Sequence, residues 1–270
     1  MNGPLPADLL VFWIIGAALA GLLFGSFLNV CIYRMPRDLS VVAPRSFCPE
    51  CGKQIAWYDN VPILSYALLR GVCRHCGNRI GLRYPLVELM TAALFGWAAG
   101  RYGYSIDTLK WVVFEALLVA LFWIDLEERL LPDELTLGGT IAGFCFSVFV
   151  AAPGLLGDLL VPGPHPVSRS LLNAALGGVL LALPLWLIGA AYRRLRHREG
   201  LGFGDVKLVL LIGIYLGFEK GVIALMIGAV AGSVLGIIYI VLTRKDASTY
   251  ELPLGTFLCA GAMLVPLVFP

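Results

Sequence analysis

The chain has 270 residues, of which 59% are hydrophobic and 14% are charged, with a mean hydropathy of +0.84. Soluble domains carry about 25% charged residues, so the composition excludes an ordinary soluble protein and predicts an all-α, multi-pass membrane protein. The formal net charge is only +2, and no basic stripe with interleaved aromatic residues is present. Nucleic acid is therefore not an expected partner.

Eight apolar segments approach the roughly 20 residues that a helix needs to cross hydrocarbon, although the sixth is short. Within the first, Gly21 and Gly25 fit a small-xxx-small pattern that predicts close helix packing. The loop at 34–83 is polar and rich in Arg and Cys, so we expect a small domain outside the membrane. The expected domains are a first membrane helix at 1–33, this loop domain at 34–83 and a membrane domain at 84–270. The predicted spans are 9–33, 84–100, 108–125, 135–152, 170–192, 205–218, 221–242 and 253–269.

The distribution of Lys and Arg predicts the orientation of these spans, because cytoplasmic loops are enriched in both residues. Most of the 20 Lys and Arg residues fall on the side of the eight-span arrangement that carries the loop at 34–83. We therefore expect this loop in the cytoplasm and both termini on the opposite side of the membrane. The other side has Arg101, Lys110, Arg169 and Lys220.

Two Cys-x-x-Cys-Gly units in the loop predict a structural zinc site, because they can supply four thiolates to one tetrahedral Zn²⁺. The loop is too small to build a core of its own, so a metal ion would stabilise it. Disulfides or a redox pair are the alternatives, and the expected cytoplasmic location disfavours structural disulfides. We expect His75 at the surface and nearby Arg side chains to offset the thiolate charge. The predicted ligands are Cys48, Cys51, Cys73 and Cys76.

The other three cysteines lie in apolar spans, and we expect them to be small buried residues. They are Cys31, Cys145 and Cys259.

Asp205, in Gly202-Phe203-Gly204-Asp205, begins the sixth span at the predicted cytoplasmic edge. An ionisable residue at the edge of hydrocarbon indicates a functional site, although Asp is also a favoured helix N-cap. Asp125 ends the third span on the same side. Two partly desolvated carboxyl groups close together cannot both ionise easily, so one can deprotonate a water while the other donates a proton. We therefore predict that Asp125 and Asp205 form a catalytic dyad.

Three other charged residues lie near the ends of these spans. We expect Glu88, near the start of the second span, to pair with an arginine or to line the site. Asp133 fits the first turn of the fourth span, where a carboxylate interacts favourably with the helix dipole. We expect Lys207 to extend its ammonium to the membrane surface, with tuning of the dyad as the alternative.

An ordered set of motifs along nearly the whole chain resembles the type IV prepilin peptidases. They are Gly25 to Pro36, the two Cys-x-x-Cys units, Arg83 to Glu88, Ile124-Asp125 through Asp133, and Gly202 to Lys207. The resemblance implies a bacterial inner-membrane aspartyl protease that cuts the leader from type IV prepilins and type II secretion pseudopilins at the cytoplasmic face. It also implies that Asp125 and Asp205 are the catalytic aspartates.

Many members with the cysteine loop also methylate the new N-terminal residue, so the resemblance implies S-adenosylmethionine as a methyl donor. The chain has no glycine-rich nucleotide-binding fingerprint, and the resemblance assigns this activity only to the N-terminal half. Two other classes stay open from the residues: an ion-coupled multi-pass transporter that uses membrane-edge aspartates, and a non-catalytic platform for pilus or secretion assembly. A transporter would more often carry acidic residues in mid-span and a repeat.

Overall fold

A computed structural model describes residues 6–151, 154–161, 165–196, 202–243 and 252–269. Within these ranges the chain forms helices and two short 3₁₀ turns, and its only strand-like pairing is two isolated bridges. The predicted all-α class is therefore confirmed. The α-helices are α1 (Ala7–Arg34), α2 (Leu64–Leu68), α3 (Arg83–Tyr102), α4 (Ile106–Glu128), α5 (Asp133–Phe149), α6 (Leu155–Leu160), α7 (Pro166–Arg196), α8 (Phe203–Thr243) and α9 (Leu254–Val268).

Three helices in the described ranges are long and apolar enough to cross a membrane: Asp8–Arg37, Pro166–Arg196 and Phe203–Thr243. The third is interrupted at Gly217, where a φ of 75° breaks α8 at the end of the predicted span 205–218, shortly before the span 221–242. Glycine suits this break because it adopts positive φ without a steric cost. The protein is thus a helical membrane protein, and the count of eight spans stays a prediction.

The chain divides into two compact units, Met1–Ala120 and Leu121–Pro270. The boundary between the two units falls inside α4, because this helix extends from Ile106 to Glu128.

In the first unit, α1 and α3 pack with their backbones in contact. A Cβ atom on Gly21 would lie 2.6 Å from the Cα of Ala92, and one on Gly25 would lie 2.7 Å from the Cα of Glu88. The close packing predicted from the small-xxx-small pattern is therefore found. Because Gly25 has no side chain, Glu88 of α3 lies directly against α1.

A buried arginine, Arg34, organises the chain that follows α1. It is 4% exposed, and its guanidinium donates hydrogen bonds of 2.8 Å to the carbonyl oxygens of Ser40 and Pro44. Its Cζ also lies 5.6 Å from the ring centroid of Phe47. The rigid fork of donors on guanidinium suits such multiple bonding, and it fixes the segment that leads into the first Cys-x-x-Cys unit.

In the second unit, α7 and α8 also meet backbone to backbone. A Cβ atom on Gly177 would lie 2.6 Å from the carbonyl oxygen of Gly213. A Cβ atom on Gly213 would collide with the carbonyl oxygen of Gly177 and lie 2.7 Å from the Cα of Gly178. This contact holds the first half of α8, the part that carries Asp205, against α7.

We expect Gly213→Ala to reduce the stability of the protein by on the order of 1–3 kcal/mol, because the added methyl group must push α7 and α8 apart. The control is Gly138→Ala in α5, where a Cβ atom would meet nothing within 4 Å. The higher helix propensity of Ala should leave that variant unchanged or slightly more stable. Thermal unfolding of both variants in detergent measures the difference, and equal melting temperatures would contradict the contact.

Candidate active site and metal centre

Asp125 lies near the end of α4 and is only 5% exposed. Its Oδ2 accepts two hydrogen bonds from Thr256, one from the backbone N–H at 2.5 Å and one from Oγ1 at 2.8 Å. Thr256 lies in the first turn of α9, where backbone N–H groups have no partner within the helix and the helix dipole favours a negative charge. The start of α9 therefore holds the Asp125 carboxyl in one orientation.

Asp205 lies in the first turn of α8 and is half-buried. Its backbone N–H donates to the carbonyl oxygen of Gly202 at 3.1 Å, so the residue is inside the helix and the alternative of an N-cap is wrong. Asp125 and Asp205 are close enough for their charges to interact, and Cys259 of α9 is buried in the same unit. The second unit thus brings the two predicted carboxyl groups into one neighbourhood.

An ion pair joins the starts of α5 and α8 beside Asp205. The Nζ of Lys207 lies 2.6 Å from Oδ1 of Asp133 and 4.7 Å from the ring centroid of Phe203. Asp133 is in the first turn of α5, as predicted, but the N-cap position belongs to Pro132. The Lys207 ammonium is bound to Asp133, whose side chain is 58% exposed, and its extension to the membrane surface stays a prediction.

Glu88 lines a cavity of about 240 Å³ in the first unit, between α1, α3 and the cysteine loop. Its Oε2 accepts a 2.8 Å hydrogen bond from the backbone N–H of Ile63, and Ser26 of α1 lines the same cavity. The expected arginine partner is not found among the described residues. The residues that line this cavity all belong to the first unit, and a role of Glu88 beside the two aspartates stays a prediction.

The four predicted cysteine ligands lie together in the loop of the first unit. Their sulfur atoms are all within 4.8 Å of one another, and the Sγ atoms of Cys48 and Cys76 are 3.9 Å apart. A tetrahedral Zn²⁺ with Zn–S bonds of about 2.3 Å separates its sulfurs by about 3.8 Å. The cluster therefore fits one zinc ion. All seven cysteines are free, so the structure contains none of the disulfides that were the alternative.

The two Cys-x-x-Cys units form the same turn. The N–H groups of Gly52 and Gly77 donate 2.9 Å hydrogen bonds to the carbonyl oxygens of Cys48 and Cys73. Both glycines have positive φ, 67° and 72°, which explains why glycine follows the second cysteine of each unit. Hydrogen bonds from the backbone N–H groups of Cys76 and His75 lower the pKa of the Cys73 thiol to about 7. This favours the thiolate that a metal requires.

Asp59 binds the guanidinium of Arg74, one of the arginines in the cysteine loop. The Nη2 and Nε atoms of Arg74 lie 2.6 and 2.7 Å from the two carboxylate oxygens of Asp59. These hydrogen bonds hold the pKa of Asp59 below its usual range. His75 is exposed, as predicted.

Two family models match the chain: the Bacterial Peptidase A24 N-terminal domain over residues 19–102 and the Type IV leader peptidase family over residues 112–241. A Prepilin leader peptidase/N-methyltransferase of Burkholderia pseudomallei is 36% identical, over 91% of this chain and 82% of the relative. This chain belongs to the type IV leader peptidase family. The resemblance seen in the sequence and the predicted enzyme class are therefore confirmed.

Other members of the leader peptidase family support the same assignment. Proteins with the same name from Neisseria gonorrhoeae and Myxococcus xanthus are 36% and 37% identical, over 82% and 86% of this chain. The chain covers 80% of the Neisseria protein and 64% of the Myxococcus protein. No solved structure matches the chain.

The sequence prediction overlooked two residues that the structure of this family member singles out. Thr256 belongs to no motif, and its only signal is that it is a polar residue at the start of an apolar span. Glu115 is fully buried within α4, and in the described part of the chain neither carboxyl oxygen has a hydrogen-bond partner. An acidic residue within a span indicates a functional site. Because a transporter would also carry mid-span acids, Glu115 removes one of the differences between this chain and that class.

The cysteines outside the metal cluster are only partly as expected. Cys31 and Cys259 are buried, but Cys145 is exposed on α5. The expectation was wrong for Cys145 because an apolar helix buries only the side that faces other helices, and its other side is left for lipid.

We expect the purified protein to contain about one Zn²⁺ per chain, and Cys48→Ser to lose most of it. Loss of the ion should lower the melting temperature by roughly 5 °C or more, because the cysteine loop has no other core. Cys145→Ser removes an exposed thiol that is not a predicted ligand and should keep both zinc and stability. Metal analysis and thermal unfolding measure both quantities. A fully reduced, folded sample without zinc would overturn the assignment.

Proposed function

We propose that this protein is a membrane aspartyl endopeptidase that cleaves the leader from type IV prepilins and type II secretion pseudopilins. We further propose that it N-methylates the new N-terminal residue. The names of its relatives support both activities. The observation that carries the aspartyl mechanism is the neighbourhood of Asp125 and Asp205, in which Thr256 orients one carboxyl.

In this mechanism the two carboxyl groups act on a water molecule and on the scissile peptide. The ionised carboxyl takes a proton from the water as its oxygen attacks the peptide carbonyl, and the protonated carboxyl donates to the carbonyl oxygen. The peptide C–N bond then breaks, and the leaving nitrogen takes a proton from the pair. Because the two groups share protons, the acid and base roles belong to the pair and not to either residue.

Glycines beside both carboxyl groups leave room for an extended peptide. A Cβ atom on Gly255 would lie 3.0 Å from Cγ of Asp125, and one on Gly202 would lie 3.2 Å from Oδ2 of Asp205. A larger residue at either position would cover the carboxyl group. This space supports the approach of a substrate backbone to the pair.

We propose that the active site faces the cytoplasm from the bacterial inner membrane, in an eight-span arrangement with both termini on the outer side. The excess of Lys and Arg on the side of the cysteine loop supports this orientation. Three residues that contribute to that excess, Arg198, Arg244 and Lys245, lie outside the described residues. Lipid surrounds the apolar outer surface of the helices in this arrangement.

Two cofactors belong to this proposal. A zinc ion bound by the four cysteines would stabilise the loop of the first unit, and its closed tetrahedral shell gives it no catalytic role. S-adenosylmethionine would supply the methyl group for the second activity. The four cysteine sulfurs support the first cofactor, and the names of the relatives support the second.

We expect Asp125→Asn and Asp205→Asn each to reduce leader cleavage by about 10²-fold or more, because either change removes a member of the proton-sharing pair. Cleavage of a purified prepilin, followed by mass spectrometry, measures the effect. Glu134→Gln is the matched control, because it removes an exposed carboxyl from the first turn of α5. Full activity in either aspartate variant would exclude the dyad. A wild-type protein that cleaves nothing but supports assembly from pre-cleaved subunits would instead favour the assembly platform.

Thr256 is a positioning residue in this mechanism, because it contacts Asp125 and not the substrate. We expect Thr256→Val to lower kcat by roughly tenfold with little change in KM, since the hydroxyl hydrogen bond is lost while the side-chain shape is kept. Thr256→Ser keeps the hydroxyl and should restore most of the activity. If both variants behaved alike, the hydroxyl would have no role in orienting Asp125.

A further inference from the structure

The cavity of the first unit holds a buried carboxylate that the peptidase mechanism does not use. Glu88 is 7% exposed, and its Oε2 accepts a hydrogen bond from the Ile63 N–H. Among the described residues, no Lys or Arg forms an ion pair with it. A buried carboxylate without a cation is costly, so a positively charged ligand in this cavity would be stabilised by Glu88.

The backbone beside Glu88 is strained where it contacts this carboxyl. Ile63 has a φ of 61° and a ψ of −50°, although it is β-branched and therefore disfavours positive φ. In this conformation it donates its N–H to Oε2 of Glu88 at 2.8 Å. Such strain persists where the surrounding structure enforces it, and ligand-binding sites are among the places where it concentrates.

Asn29 adds a second group on the same cavity without a full set of partners. It is 3% exposed, and its Nδ2 donates to the carbonyl oxygens of Gly25 and Tyr84 at 3.3 and 3.1 Å. Because both partners are acceptors, the orientation of the amide is fixed. Its Oδ1 is buried without a hydrogen-bond partner in the described structure, so it is available to an N–H donor on a bound molecule.

We propose that this cavity binds the methyl donor S-adenosylmethionine, with Glu88 against the sulfonium and Oδ1 of Asn29 accepting from the donor's ammonium group. The inference rests on the proposed methyltransferase activity. At about 240 Å³ the cavity is smaller than the roughly 300–1,000 Å³ that encloses a drug-sized ligand. It therefore encloses the charged methionine part of the donor, and the adenosine extends out of it.

The reaction at this cavity needs no further reagent. The nitrogen lone pair of the new N-terminal amine forms a bond to the methyl carbon, and the carbon–sulfur bond breaks with its electrons left on sulfur. The products are S-adenosylhomocysteine and a methylated ammonium, which releases a proton to water. The positive charge leaves sulfur in this step, so the product binds Glu88 less strongly than the donor does.

The change of charge on sulfur gives a direct test. We expect Glu88→Gln to reduce the preference for S-adenosylmethionine over S-adenosylhomocysteine by about tenfold or more, because only the donor carries the sulfonium. Asn29→Leu should weaken both ligands to a similar extent, because both carry the ammonium. Dissociation constants for the two ligands, measured on the full-length protein in detergent, give this ratio without any turnover.

Two measurements keep this test independent of folding and of the peptidase. Each variant must retain leader cleavage and zinc content, and Glu134→Gln serves as the matched loss of an exposed carboxyl in the second unit. An unchanged ratio in Glu88→Gln, or an equal loss for both ligands, overturns the inference. If the wild type methylates its product and Glu88→Gln keeps the ratio, only the cavity assignment fails. If the wild type cleaves the leader but binds no donor, the methyltransferase proposal fails with it.

Discussion

Close contact between helix backbones at glycines is the constraint on which both candidate sites depend. Gly25 lets α1 lie against the Cα of Glu88, which brings that carboxylate to the cavity of the first unit. In the second unit, a Cβ atom on Gly228 of α8 would lie 2.6 Å from the carbonyl oxygen of Phe257. That contact sets the position of α9, and hence of the adjacent Thr256 on Asp125. Helices in lipid associate through such packing, since lipid offers no hydrophobic drive between them.

Two aspartates of the second unit, Asp125 and Asp133, have their partners at helix starts. The first turn of α9 binds Asp125, and the starts of α5 and α8 are joined by the pair of Asp133 with Lys207. Glu115 departs from this pattern, because it is buried within α4 without a hydrogen-bond partner among the described residues. Glu115 is thus fully enclosed by protein, whereas Asp125 has both Thr256 donors on one carboxyl oxygen.

The sequence predicts those parts of the sites that depend on short spacing or on the order of spans. Two residues between cysteines, followed by glycine, are enough to specify the metal turns, and the span order puts Asp125 and Asp205 on one side. It does not predict Thr256 on Asp125 or Lys207 on Asp133, because 131 and 74 residues separate these partners. Such pairs depend on which faces of distant helices meet. The sequence does not predict the positive φ of Ile63 either, since β-branched residues rarely adopt it.

The two proposed reactions require carboxylates with different protonation behaviour. Hydrolysis needs groups that exchange protons, and two carboxyl groups within range of each other's charge meet this need because they share protons readily. Methyl transfer needs a fixed negative charge beside a sulfonium, which a single carboxylate between hydrogen-bond donors provides. Glu88 has this setting, with the Ile63 N–H on one oxygen and no second carboxyl required. Placing these carboxylates in separate units lets each keep the environment that its own chemistry demands.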